Sequence, residues 1–240
     1  MFVIMKIMKT AFVTGADQGI GEGFVKQLLK DGWMVFATSR KSVKDLPTHE
    51  NLEWVSLELF EDDSIKNAFQ FVSDKTDTID LLINNAGINK DTATNNQKEL
   101  VSTLQYLDRD SLLKMYNINA VAPFLVIKEF LPLLTGDPSF IMNVSSCRAS
   151  FHDEFENELG NYGYRASKIA LNMFTFCSLK DLPAHIKIFS VHPGNVKTGM
   201  NPDGTDDPST QAHKMLQIVE NWNDEWNGRF MRYSGEPYPL

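Results

Sequence analysis

Six short runs dominated by β-branched and apolar residues recur along the chain: KTAFVTG, WMVFATSR, LEWVSLEL, IDLLINNAG, SFIMNVSS and IKIFSVHPG. Such runs lack the polar alternation of a half-exposed strand, so both faces of each must be covered. Segments with helical spacing lie between them. GIGEGFVKQLLKDG sets Ile20, Phe24 and Leu28 on one face and stops at Gly32. Further helices are predicted over 63–73, over 110–134 with Pro123 and Pro132 bending or ending parts of it, and over 164–182. Pro208 behind Asp207 suits a first helical position after an N-cap, and that helix runs to about Trp222. Continuous apolar strands alternating with helices imply an α/β, doubly wound domain: a central parallel sheet with helices on both faces. The chain has 240 residues, and no repeat, low-complexity tract or linker divides them, so 1–240 reads as a single domain.

Charge and cysteine content narrow the function classes. The formal net charge is −8 and no basic run occurs, which argues against a nucleic-acid partner. Two cysteines, Cys147 and Cys177, make no disulfide framework and fit a reducing, cytoplasmic setting. The apolar start MFVIMKIMKTAFVTG is broken by Lys6 and Lys9 and lacks a small-residue cleavage site. Residues 1–8 are therefore read as an N-terminal extension rather than a signal peptide. No stretch reaches the roughly 18 apolar residues that span a membrane. The five histidines lack ligand spacing, so no metal site is predicted.

TGADQGIG, from Thr14 to Gly21, joins the first strand to the first helix. Gly15 permits the tight turn, Gly19 lets the backbone approach a pyrophosphate, and Gly21 allows helix to pack on strand. The helix N-terminus then offers free N–H groups and partial positive charge to phosphates. A glycine-rich turn without a ligand has the same local sequence. At the end of the second strand, NAD-preferring folds carry a carboxylate for the ribose 2′-OH. Here Ser39, Arg40 and Lys41 stand there instead. A guanidinium suits a 2′-phosphate, which favours NADP(H) over NAD(H); the bland alternative is a pair of solvated loop charges.

These residues resemble the short-chain dehydrogenase/reductase family, a Rossmann-type fold. TGADQGIG resembles its glycine turn, and NNAG (84–87), NVSS (143–146), YRASK (164–168) and HPGNVKT (192–198) resemble further motifs in the right order. Within the family, YGYRASKIALNMF and HPGNVKTGM are most similar to carbonyl reductases of the sniffer and C-factor type. The resemblance implies hydride transfer between NADP(H) and a carbonyl or alcohol substrate. It implies catalytic roles for Asn119, Ser146, Tyr164 and Lys168. Tyr164 would protonate the carbonyl oxygen, and Lys168, four residues on and on the same helical face, would lower its pKa. Tyr162 has Ala166 at that step and is read as lying before the helix. Ser146 would bind the substrate oxygen. Asn119 would position a water leading to Lys168, with Asn117 as a rival in the same segment. The implied cofactor contacts are Gly15, Asp17, Gln18, Gly19, Ile20, Ser39, Arg40, Glu58, Leu59, Asn85, Ala86, Gly87, Tyr164, Lys168, Pro193, Gly194, Val196 and Thr198. His192 is read as structural. A homodimer or homotetramer is implied as well.

Several positions depart from the family pattern. Asp17 puts a carboxylate in the phosphate turn, an unfavourable charge unless it caps the turn or faces away. Glu58 stands where relatives place an aspartate against the adenine, while Asp62 and Asp63 are read as capping the next helix. The acidic segment 147–163, with Phe151 and Phe155, should lie over the substrate site, and 201–210 has the glycine and proline content of a lid. Beside the reductase stands a second hypothesis, a catalytically weak nucleotide-binding regulatory protein on the same fold.

Overall fold

In the computed structural model, which describes residues 8–89, 104, 107–152 and 160–240, all six apolar runs form strands. They are β1 Thr10–Val13, β2 Met34–Ser39, β3 Leu52–Ser56, β4 Leu81–Asn84, β5 Ser139–Val144 and β6 Ile186–His192. A seventh, β7 Phe230–Arg232, pairs with β6 and was not expected; three residues are too few to show a period. The sheet is parallel throughout, in the order β3-β2-β1-β4-β5-β6-β7.

Strand side chains alternate between two helical layers. Ala11, Val13, Leu81 and Ile83 pack with Phe24 and Leu28 of α1 (Gly19–Lys30) and Met215 of α6 (Pro208–Glu220). Phe12, Phe36, Leu82 and Ile141 pack with Ile65 and Val72 of α2 (Asp62–Ser73) and Phe130 of α4 (Ala122–Phe130). Phe12 and Phe130 are fully buried with ring centres 4.3 Å apart. Burying each such ring contributes about 2–3 kcal/mol relative to exposure. No helix among the described residues is long and apolar enough to cross a membrane.

The predicted helix over 110–134 is instead four consecutive pieces. α3 (Arg109–Tyr116) passes into a π-helical segment, Asn117–Val121, then α4, and ends in a 3-10 turn, Leu131–Leu133. Ala122 N–H donates to Asn117 O, five residues back, so one extra residue is accommodated just before Pro123; Pro123 lies in the first turn of α4 and Pro132 in the closing 3-10 turn, so the pieces change at the two prolines as expected. α5 runs over Tyr162–Cys177, so Tyr162 is its first residue and 42% exposed, not a residue before the helix. Asp62 and Asp63 lie inside the first turn of α2, whose N-cap is Glu61. They favour the positive end of the helix dipole rather than capping it. Asp207 does cap α6, accepting from Thr210 N–H at 2.7 Å.

A buried polar ladder fixes α5 against the sheet. Asn84 Nδ2 donates to Asn143 Oδ1 (2.8 Å), and Asn143 Nδ2 donates to Thr175 Oγ1 (2.9 Å). Ser190 Oγ also donates to Thr175 Oγ1 at 2.9 Å, and Thr175 donates on to Leu171 O at 2.8 Å. Every polar group in this ladder has a partner, so it sets one register of α5 over β4, β5 and β6.

Candidate functional site

β1 is bordered by β2 on one side and β4 on the other, so successive connections leave it in opposite directions. The crevice this opens at the carboxyl ends of the strands is where doubly wound folds bind ligands. A cleft lies there, lined by the glycine turn, the ends of β2, β3 and β4, and the face of α5.

The glycine turn is built for close approach. Gly15 (φ 60°) and Gly19 (φ 57°) hold left-handed backbone that side chains disfavour. A Cβ on Gly21 would stand 2.1 Å from Gly15 O, so only glycine lets α1 seat on the turn. Gly15 N–H donates to Thr38 Oγ1 at 3.1 Å. Asn85 Nδ2 donates to Thr14 O (3.0 Å) and Gly15 O (2.9 Å), tying the end of β4 to the same turn. Gln18, the N-cap of α1, makes no side-chain cap, which leaves the first N–H groups of the helix for an anion. These residues fit the pyrophosphate of a dinucleotide.

At the far end of the cleft, charges stand in two pairs. Arg40 Nη1 lies 3.9 Å from Glu58 Oε2, and Lys41 Nζ lies 2.8 Å from Asp17 Oδ2. Asp17 is thus neutralised by a neighbouring cation, which resolves the charge conflict its sequence position raised. Ser39, Arg40, Glu58 and Leu59 all line the cleft, as do Ile20, Ala86 and Gly87.

α5 brings Tyr164 and Lys168 to the cleft wall. Lys168 Nζ donates to Val144 O at 2.7 Å and lies 5.9 Å from the Tyr164 ring centre. Burial pushes the Tyr164 phenol above its ordinary value, and a hydrogen bond with Ser146 acts in the opposite direction. The expected lowering by Lys168 is therefore not what the structure gives: desolvation outweighs the favourable contacts. Burial also lowers Lys168, to about 8. Ser146 sits at the end of β5, before a 3-10 turn, Cys147–Ala149, and its Oγ accepts from Arg148 N–H at 3.2 Å.

Asn119 is completely buried in the π-helical segment. Its Nδ2 donates to Ile88 O (2.8 Å) and Ser167 Oγ (3.0 Å), and its Oδ1 accepts from Ile88 N–H (2.8 Å). The side chain is thus committed to protein partners and braces the end of β4 against α5. Asn117, the rival, begins the segment and is half-buried.

Pro193 and Thr198 line the opposite wall. Gly194 (φ 94°) donates its N–H to His192 Nδ1 at 3.1 Å, which supports the structural reading of His192. Val196 is buried and bridged to Asp206 rather than lining the cleft. The predicted lid 201–210 is tied back by bonds such as Lys197 N–H to Asp206 O (2.9 Å), and it is Thr198, Gly199 and Met200 that border the cleft. Phe151 is exposed, while Phe155 lies outside the described residues, as does most of the N-terminal extension. Sequence reasoning missed Thr38, Leu57, Ile88, Ile118, Val144, Ser145, Gly199 and Met200, which also line the cleft, whereas Ser146 and Gly194 are not among the lining residues. Thr38 beside Ser39, Ser145 in NVSS, and Gly199 and Met200 in HPGNVKTGM were open to discovery; Ile88 and Ile118 are apolar residues with no chemistry to mark them.

Comparison with known proteins matches the architecture. The family model described as short chain dehydrogenase matches residues 9–209. An uncharacterized oxidoreductase of Schizosaccharomyces pombe is 30% identical, covering 97% of this chain and 98% of its own. C-signal of Myxococcus xanthus is 33% identical over 68% of this chain and 94% of its own. Among solved structures, the NADPH-bound carbonyl reductase from chicken fatty liver is 31% identical with TM-score 0.84, covering 97% of this chain and 99% of that one. Carbonyl reductase Sniffer of D. melanogaster is 28% identical with TM-score 0.84, over 97% and 100%.

Proposed function

The chain belongs to the short chain dehydrogenase family, and we propose on that premise that it is an NADP(H)-dependent reductase of small carbonyl compounds. The observation that carries this reading is the convergence of the glycine turn, Arg40, Tyr164 and Lys168 on one cleft at the switch point of the sheet. Bound NADPH supplies the hydride for the carbonyl carbon. Tyr164 donates its phenol proton to the carbonyl oxygen, and its raised pKa keeps that proton in place at neutral pH. Ser146, hydrogen-bonded with Tyr164, orients the substrate oxygen between the two hydroxyls. The Lys168 ammonium favours the negative charge that Tyr164 acquires. Asn119 acts one step back, holding Ile88 and Ser167 so that α5 presents Tyr164 to the cleft.

Arg40 supports NADP(H) over NAD(H). Its side chain is 72% exposed and only loosely held by Glu58, so it is available to a 2′-phosphate. Replacing Arg40 by Ala is expected to weaken NADPH about tenfold or more while changing NADH by less than about threefold, as read by dinucleotide fluorescence titration. Equal effects on the two would refute the cofactor assignment.

A second copy of the chain is the proposed partner. Leu113 and Tyr116 of α3 and Met173 and Phe176 of α5 are exposed apolar residues on neighbouring helices. Sedimentation velocity is expected to show a dimer or tetramer that Phe176→Glu weakens; a monomer at micromolar concentration would refute it.

A further inference from the structure

Asp17 and Lys41 are separated by 24 positions, but β2 lies beside β1 and brings their ends together. Consecutive residues then turn opposite ways. Arg40 leans toward Glu58 beyond β3, and Lys41 leans toward Asp17 in the turn after β1. The two contacts differ in kind. The Arg40 pair is long, at 3.9 Å, whereas the Lys41 pair is a close contact of 2.8 Å. Asp17 lines the cleft and its side chain is only 13% exposed; Lys41 lies outside the lining and is 55% exposed. A carboxylate therefore faces the space assigned to phosphates, and its counter-charge sits behind it. Lys41 is anchored from its backbone as well, where its N–H donates to Ser39 Oγ at 2.9 Å.

We propose that Asp17 and Lys41 form a charge-compensated unit that sets dinucleotide affinity and selectivity, with Lys41 acting through Asp17 rather than by touching the ligand. This rests on the reading of the cleft as a dinucleotide site. Without Lys41, the Asp17 carboxylate repels every phosphate nearby. The repulsion is larger for NADPH, whose 2′-phosphate adds about two negative charges, than for NADH. Lys41 is thus a positioning and neutralising residue that favours the phosphorylated cofactor, complementary to Arg40.

The test is a double-substitution cycle read by calorimetric binding of NADPH, NADH and 2′,5′-ADP, independent of turnover. Lys41→Met is expected to weaken NADPH about 30-fold and NADH about fivefold, the order set by one uncompensated carboxylate within a Debye length of the phosphates. Asp17→Asn alone is expected to bind NADPH at least as tightly as the parent. Lys41→Arg, which keeps the charge, is expected to match the parent. The decisive variant is Asp17→Asn with Lys41→Met, which removes both charges and is expected to return to within about fivefold of the parent for NADPH. A double variant weaker than that overturns the proposal and makes Lys41 a direct phosphate ligand. A Lys41→Met protein that binds NADPH like the parent overturns it too. If the parent binds none of the three ligands, the dinucleotide reading itself fails and this inference falls with it.

Discussion

Replacing Tyr164 by Phe is expected to reduce carbonyl reduction by about a thousandfold or more while leaving the dissociation constant for NADPH within about threefold. The substitution removes one oxygen and keeps the ring, which is half-buried on α5 at the cleft wall. Its structural cost is small, because the phenol has Ser146 as its partner and Ser146 keeps a second contact with Arg148 N–H. The loss therefore falls on kcat rather than on binding or folding. Tyr162→Phe serves as the internal control. Tyr162 opens α5 and is 42% exposed, two residues from Tyr164 but turned away from Lys168. Changing it is expected to alter kcat/KM by less than about fivefold. Comparable losses from the two substitutions would remove Tyr164 from its role as proton donor.

The second large effect concerns Lys168, where function and stability are expected to move in opposite directions. The residue is 4% exposed, its ammonium has Val144 O as a hydrogen-bond acceptor, and burial lowers its pKa from 10.5 to about 8. Between those two values the unfolded chain binds more protons than the folded one, so stability rises as pH rises through that window. Below about pH 8 both states are protonated and the full penalty applies, about 3 kcal/mol at 1.36 kcal/mol per unit. Lys168→Met removes the penalty but leaves Val144 O without its donor, which returns about 1 kcal/mol. The variant is expected to be more stable than the parent by about 1–3 kcal/mol at pH 7, with the difference shrinking toward zero or reversing by pH 9.5. Urea denaturation at both pH values reads this directly. Turnover is expected to fall about a hundredfold or more, because the ammonium 5.9 Å from the Tyr164 ring centre is then lost. A destabilised variant at pH 7 would show that the ammonium is stabilised by the fold rather than tolerated for function.

Much of this was legible in the chain because the relevant signals are local. The six apolar runs announce their strands, and Asp207–Pro208 announces the start of α6. The glycine spacing of 15, 19 and 21 encodes a turn whose necessity is visible as atomic approach: the missing Cβ of Gly21 would overlap Gly15 O. What stayed hidden depends on contacts between distant positions. NINAVAPF shows a break only at Pro123, and nothing in it marks the extra residue of the π-helical segment from which Asn119 reaches Ile88 and Ser167 at once. The i, i+4 step from Tyr164 to Lys168 is plain in sequence, yet burial, which decides both pKa directions, is a property of the packed cleft. Asp17 looked unfavourable only because its partner arrives from the end of the neighbouring strand.

The most direct test of the account follows NADPH consumption, by the loss of reduced-nicotinamide absorbance, across a panel of aldehydes, ketones and diketones. The expected result is turnover of at least one carbonyl, with kcat/KM higher for NADPH than for NADH, and no turnover above background in Tyr164→Phe. A protein that binds NADPH yet consumes neither dinucleotide with any carbonyl in the panel would contradict it.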